Sequence, residues 1–131
     1  CTYSIYGTVD NKTTLELADD AAYVNMGTEW RMPNQEEFSE LISKCTWTWS
    51  TQNGVDGYKV TGPNGNSLFF PAAGFRYDSY LSRAGLDGYY GSSSVYKSNS
   101  SSAWYLYFDS GDRSADYCGR DSGRTVRAVV R

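Results

Sequence analysis

Trp104-Tyr-Leu-Tyr-Phe-Asp-Ser-Gly-Asp-Arg-Ser-Ala-Asp-Tyr-Cys-Gly-Arg-Asp-Ser-Gly-Arg-Thr-Val-Arg127 is a strand-like run that passes into a polar segment and returns to a short apolar end. Successive strand side chains point to opposite sides, so Trp104, Leu106 and Phe108 share one face and Tyr105, Tyr107 and Asp109 the other. The first set is bulky and apolar and predicts the inner surface of a sheet. The second set carries a polar end on each side chain and predicts a wet, recognising surface.

Working outward, the preceding chain supplies elements that would hold this face still. Leu15 to Met26 places Leu17, Ala21, Ala22 and Val24 at near-helical spacing, with Asp19 and Asp20 at its start and Gly27 as a stop. Asn34 is a good N-cap, Glu37 sits at the capping-box position, and Phe38, Leu41, Ile42 and Cys45 form one apolar stripe, which predicts a second helix. Thr46-Trp-Thr-Trp49 alternates like a strand, and Asn53-Gly54 marks a turn. Tyr58-Lys-Val-Thr61 and Ser67-Leu-Phe-Phe70 flank Gly62-Pro-Asn-Gly-Asn66, predicting a hairpin. Residues 75–103 are rich in Ser, Gly and Tyr without helical period, and are expected to be a long irregular region. A first strand is expected over residues 2–9 and a central one over Thr125-Val-Arg-Ala-Val-Val130.

The length, 131 residues, fits a single domain, 1–131. With 12 Tyr and 4 Trp against 2 Met, and 13 Gly, much of the apolar material is rigid rings joined by turns, a composition shared with recognition surfaces. A net charge of -3 gives no basic footprint for nucleic acid. Arg120, Arg124, Arg127 and Arg131 cluster, but aspartates 109, 112, 116 and 121 sit among them, so the mixture is a solvated or ion-paired face. No apolar run reaches the roughly 18 residues of a bilayer span, so no direct membrane insertion is expected.

Chemistry is sparse. There is no His, so Ser-His and Cys-His nucleophile pairs cannot be built, and no catalytic residue is assigned. Asp109-Ser-Gly-Asp112 breaks the alternating oxygen pattern of an EF-hand loop, and no metal site or cofactor is expected. Among three cysteines, Cys1 and Cys45 are candidates for a bridge in an oxidising compartment, and Cys118 is unusual in so polar a stretch. Cys1 fits the mature end of a lipoprotein, or simply the point at which the chain begins.

Several pieces together resemble a known family. Asp19-Asp-Ala-Ala22 with Trp30-Arg-Met-Pro33, Val60-Thr-Gly-Pro-Asn-Gly-Asn66 with Phe70-Pro-Ala-Ala-Gly-Phe-Arg76, Gly88-Tyr-Tyr-Gly-Ser-Ser-Ser94, and the stretches from Ala103 to Gly111 and from Thr125 to Arg131 are similar to the Fibrobacter succinogenes major paralogous domain. The resemblance implies an α+β, C-type lectin-like fold: two helices packed on small, mostly antiparallel sheets, with a long irregular loop region. It also implies a place outside the cell, on the cell surface or on a phage particle, as one domain, monomeric, of a larger protein. Where members carry Trp in a Tyr-Tyr-Trp-Ser-Ser segment, this chain has Gly91. The calcium-placing motifs of sugar-binding C-type lectins are absent from the sequence, and Gly62-Pro63-Asn64 belongs to a turn.

The same fold family includes the variable proteins of diversity-generating retroelements, in which surface positions of a C-terminal repeat are randomised. On that template the diversified, ligand-binding set is Tyr96, Tyr105, Tyr107, Asp109, Asp112, Ser114, Asp116, Tyr117, Cys118, Gly119, Asp121, Ser122 and Arg124, within a variable region of about residues 89–124. Trp104, Leu106, Phe108, Arg113, Ala115, Arg120 and Val126 are the expected scaffold. The expected function is noncovalent binding of a protein or surface-polymer ligand, glycan included, anchored on Tyr105, Tyr107 and Tyr117. The alternative is a fixed glycan- or matrix-binding module of the same family. A formylglycine-generating enzyme is disfavoured because its copper-binding cysteine pair has no counterpart.

Overall fold

The computed structural model describes residues 11–131. The strand expected over residues 2–9 and the bridge expected for Cys1 therefore lie outside the described residues; Cys45 and Cys118 are free thiols. Regular structure begins with a 3-10 turn, Leu17–Asp19, and the helix α1, Ala21–Met26. Asp20, buried, accepts the amides of Ala22 and Tyr23 at 2.9 and 3.1 Å and caps α1. Its carboxylate also accepts the Met32 amide at 2.9 Å, fastening α1 to the end of β1, Trp30–Arg31. Gly27 ends the helix at φ 104, as its sequence position predicts.

The second helix, α2, spans Gln35–Lys44. Asn34 Oδ1 accepts the Glu37 amide at 2.8 Å while Glu37 Oε2 accepts the Asn34 amide at 2.9 Å, so two otherwise unpaired donors are satisfied reciprocally. Arg31 adds a forked pair to the same carboxylate at 2.7 and 2.6 Å. A three-stranded antiparallel sheet follows: β2, Thr46–Gln52, β3, Val55–Thr61, and β4, Ser67–Pro71. Asn53 and Gly54 turn β2 into β3 at φ 51 and 78. Cross-strand register puts Trp47 opposite Val60, Trp49 opposite Tyr58 and Tyr58 opposite Phe70, so one face is aromatic and turns inward.

Residues 75–103 are largely strand, which corrects the expectation of an irregular region. They contain β5, Phe75–Tyr77, β6, Tyr80–Ser82, and β7, Gly88–Val95; β8, Ser102–Phe108, begins before they end. β7 pairs with β8, and β8 with β9, Arg113–Gly119, in order β7-β8-β9. The open side of β7 is closed by distant chain: Gly91 and Ser93 donate to the carbonyls of Thr125 and Pro33, and Val95 to that of Thr13. These bonds form a strand from Gly and Ser residues whose local preference for one is weak. A third sheet, β10-β5-β6, includes β10, Gly123–Arg124.

The expected central strand over Thr125–Val130 is also corrected. Only β11, Val129–Val130, pairs, with β1 in a two-stranded sheet. Thr125 bonds instead to β7, accepting from Gly91 and donating to Tyr89, so the segment divides its pairing between two partners and builds no continuous ladder. The core joins Phe38 of α2, Tyr58, Val60 and Phe70 of the first sheet, and Tyr90, Leu106 and Phe108 of the second. Phe108, fully buried, meets Trp47, Trp49, Tyr58 and Tyr90 at 6.1, 6.4, 5.4 and 5.9 Å between ring centres.

Candidate functional site

The register of β8 against β9 decides which predicted residues share a surface. Tyr105 lies opposite Asp116, Tyr107 opposite Ser114, and Ala103 opposite Cys118. Because directly opposed residues share a face, Tyr105, Tyr107, Ser114, Asp116 and Cys118 stand together, away from Leu106 and Phe108. Tyr89 joins them by pairing with Tyr107. Tyr117 pairs with Trp104 and therefore belongs to the opposite face. There its ring stacks on Tyr96 at 3.7 Å with 4° between planes. The predicted set is thus split, with Tyr96 and Tyr117 on one side of the sheet and the β8–β9 residues on the other.

The rest of the set sits at the ends. Asp109 and Asp112 occupy the β8–β9 turn, where Asp109 Oδ1 accepts the amides of Gly111 and Asp112 at 2.7 and 2.8 Å. The Tyr107 hydroxyl donates to Asp109 Oδ2 at 2.9 Å. The Gly111 amide, the Tyr107 hydroxyl and the Asp112 amide hold the Asp109 carboxyl below its usual range, in that order. Burial, and then the bond to Asp109, push the Tyr107 phenol well above its ordinary value. Gly119, Asp121, Ser122 and Arg124 form the β9–β10 connection, and Arg124 donates to the Gly119 carbonyl at 3.1 Å.

Tyr105 is the chief departure among the expected anchors. It faces away from the core as alternation predicts, yet only 9% of its surface is exposed. The third sheet covers it: Arg124, whose cross-strand neighbour is Phe75, lays its guanidinium 4.4 Å from the Tyr105 ring centre. Phe75 meets Tyr89 at 4.9 Å, and Tyr89 meets Tyr105 and Tyr107 at 5.9 and 5.3 Å. Burial raises the phenols of both Tyr89 and Tyr105. Tyr105 is therefore a packing residue of this face; Asp116 and Cys118 are its exposed members, and Tyr107 and Ser114 are half-buried.

The β5–β6 hairpin carries exposed aromatic residues that no sequence motif singles out. Tyr77 and Tyr80 oppose each other across its turn, 58% and 73% exposed, on the same face as Phe75. Leu81 and Leu86 are also exposed. The available signal was the pair of Tyr flanking Asp78-Ser79, with Asp78 at φ 51. Behind the hairpin, buried Asp87 takes a forked bond from Arg83 at 2.6 and 3.0 Å and a bond from the Tyr89 hydroxyl at 3.2 Å. Among the described residues, no three or more His, Cys, Asp or Glu are grouped to hold a metal ion. No described helix is long and apolar enough to cross a membrane.

The comparison that bears on identity is a family model, described as the Lcl C-terminal domain, which matches residues 3–130. The chain belongs to the Lcl C-terminal domain family. No curated protein matches it significantly, and no solved structure does so. For this Lcl C-terminal domain the architecture is α+β, with two helices and several small antiparallel sheets.

Proposed function

We propose that this Lcl C-terminal domain is a noncovalent ligand-binding module with a C-type lectin-like scaffold, without catalytic activity, acting at a cell surface or on a particle. Its ligand is a protein or a surface polymer. The observation that supports this reading is the two-sided character of the β8–β9 pair. Leu106 and Phe108 are fully buried on one side, while Asp116 and Cys118 are exposed on the other beside Tyr107 and Ser114. Side chains projecting from a rigid ladder can change without moving the core, which suits a recognition surface. Tyr77 and Tyr80 extend that surface with rings that have few rotors to freeze. Asp121 and Ser122 follow in the β9–β10 connection.

In its finer form, the domain is the diversified target of a retroelement, with variation at the outward positions. Buried Tyr105 is then a scaffold residue, not a diversified one. Two measurements test the proposal. The first replaces Ser114, Asp116 and Cys118 together by Ala and compares the product with the parent on protein and glycan arrays. Loss of the parent's ligands is expected, and their retention would place binding elsewhere. The second sequences this coding region across a population. Substitutions concentrated at positions 107, 114, 116, 118, 121 and 122, with Leu106 and Phe108 fixed, are expected. Even or absent variation refutes the diversified form and leaves the fixed module.

A further inference from the structure

A cleft of 740 Å³ lies beside the N-terminus of α2, on the side of the sheet away from Asp116 and Cys118. Its volume falls within the roughly 300–1,000 Å³ typical of small-molecule sites. One wall is aromatic. Tyr96 and Trp104 line it, and Tyr117 backs Tyr96 by face-to-face stacking while Trp104 meets the two rings edge-on at 5.9 and 5.4 Å. Three rings fixed against one another form a preorganised platform. The rest of the lining is largely polar: Asn34 Oδ1 and Ser94 Oγ already accept the Glu37 and Gln35 amides at 2.8 and 3.0 Å, which leaves Asn34 Nδ2, Gln35 Oε1 and the Thr13 hydroxyl as the groups a ligand could engage.

The charge at this cleft balances. Arg31 is forked onto Glu37, at 2.7 and 2.6 Å, and the other charged lining residues, Glu36 and Lys97, have opposite signs. A polyanion or a strong cation finds no matching excess here. A purely apolar ligand would strip water from Asn34 Nδ2, Gln35 Oε1 and the Thr13 hydroxyl without replacing its hydrogen bonds. A ligand with an apolar face and a hydroxyl-bearing rim satisfies both walls at once.

We propose that this cleft binds a short, uncharged oligosaccharide. The C–H face of a pyranose ring packs on Trp104 and Tyr96 through dispersion and C–H contacts, and its hydroxyls exchange hydrogen bonds with the polar wall. The site shares no lining residue with the proposed outer face, so either assignment can fail without the other.

The test is titration of the folded domain with maltotriose, cellotriose, chitotriose and mannotriose, with a heparin hexasaccharide as the charged comparison. Binding is followed by NMR at the Trp104 indole N–H and the Gln35 amide, and by calorimetry. At least one neutral trisaccharide is expected to shift both signals saturably. Trp104→Ala should weaken it by about tenfold or more, and Gln35→Ala, a variant less exposed to folding defects, should weaken it measurably. Lys59→Ala, an exposed position of β3 that belongs to neither surface, should leave it unchanged. Three results overturn the proposal: no neutral sugar shifts these signals, only heparin binds and is released by salt, or affinity is indifferent to both cleft variants.

Discussion

Gly88 and Phe108 oppose each other across β7 and β8, and the ring of Phe108 occupies the space where a side chain on Gly88 would project. A methyl group built at Gly88 falls 2.1, 2.3 and 2.6 Å from three atoms of that ring, closer than any van der Waals contact allows. The ring cannot swing aside, because Phe108 is fully buried among Trp47, Trp49, Tyr58 and Tyr90. Gly88→Ala alone should therefore cost about 3 kcal/mol, the upper part of the overpacking range. Phe108→Leu alone should cost about 1–2 kcal/mol, less than truncation to Ala because most of the volume is kept. Together the two changes relieve each other. The double variant should lose only about 2 kcal/mol, which gives a coupling of about 2–3 kcal/mol between the sites. Urea unfolding monitored by tryptophan fluorescence, with all four proteins and a common slope, measures each value. Additive losses would refute the claim that the Gly88 backbone is a seat for the Phe108 ring.

Three further outcomes follow from the same geometry. Tyr105→Ser should cost about 2–3 kcal/mol, since it empties the space between Tyr89 and Arg124, whereas Asp116→Ser on the same face should stay within about 0.5 kcal/mol; equal losses in thermal melts would contradict the burial of Tyr105. Asn34→Ala should cost about 1–2 kcal/mol through the capping box, and helical circular dichroism should melt earlier by the corresponding shift. The phenols of Tyr58, Tyr89, Tyr105 and Tyr107 are raised, chiefly by burial. Their neutral forms favour the folded state, so this stabilisation is intact below about pH 10, and it is lost as pH rises through the folded-state values. Phenolate absorbance should show an early exposed class and a late class that titrates together with unfolding; one class with the free-tyrosine midpoint would sink the assignment.

Where a residue's local chemistry matched its final environment, the sequence was readable. Asn34 and Glu37 carry their own capping geometry, and Asn53-Gly54 carries its own turn, so α2 and the β2–β3 hairpin follow from neighbours in the chain. The alternation of Leu106 and Phe108 with Tyr105 and Tyr107 also predicted the faces correctly. What alternation cannot supply is the identity of the layer above the outer face, and here residues 75–82 and 123–124 fold back over Tyr105. β7 was hidden for a similar reason, since its Gly and Ser residues are held by Thr13, Pro33 and Thr125, all remote in sequence. The side on which Tyr117 stands depends on the β8–β9 register, which pairs it with Trp104 and not with Tyr105. The four residues from Asp109 to Asp112 set that register, and no local pattern in β9 announces it.

β9 consequently serves two surfaces with one string of residues: positions 114, 116 and 118 contribute to the outer face, and 117 to the aromatic wall on the other side. Replacing a residue in this string edits one surface and leaves the other intact. Inserting or deleting a single residue exchanges the two sets, turning Tyr117 outward and carrying Asp116 toward Trp104. A lineage can therefore revise this segment freely in composition but not in length. Homologous chains compared across residues 102–119 should differ by substitution, with gaps confined to the turn ahead of Arg113.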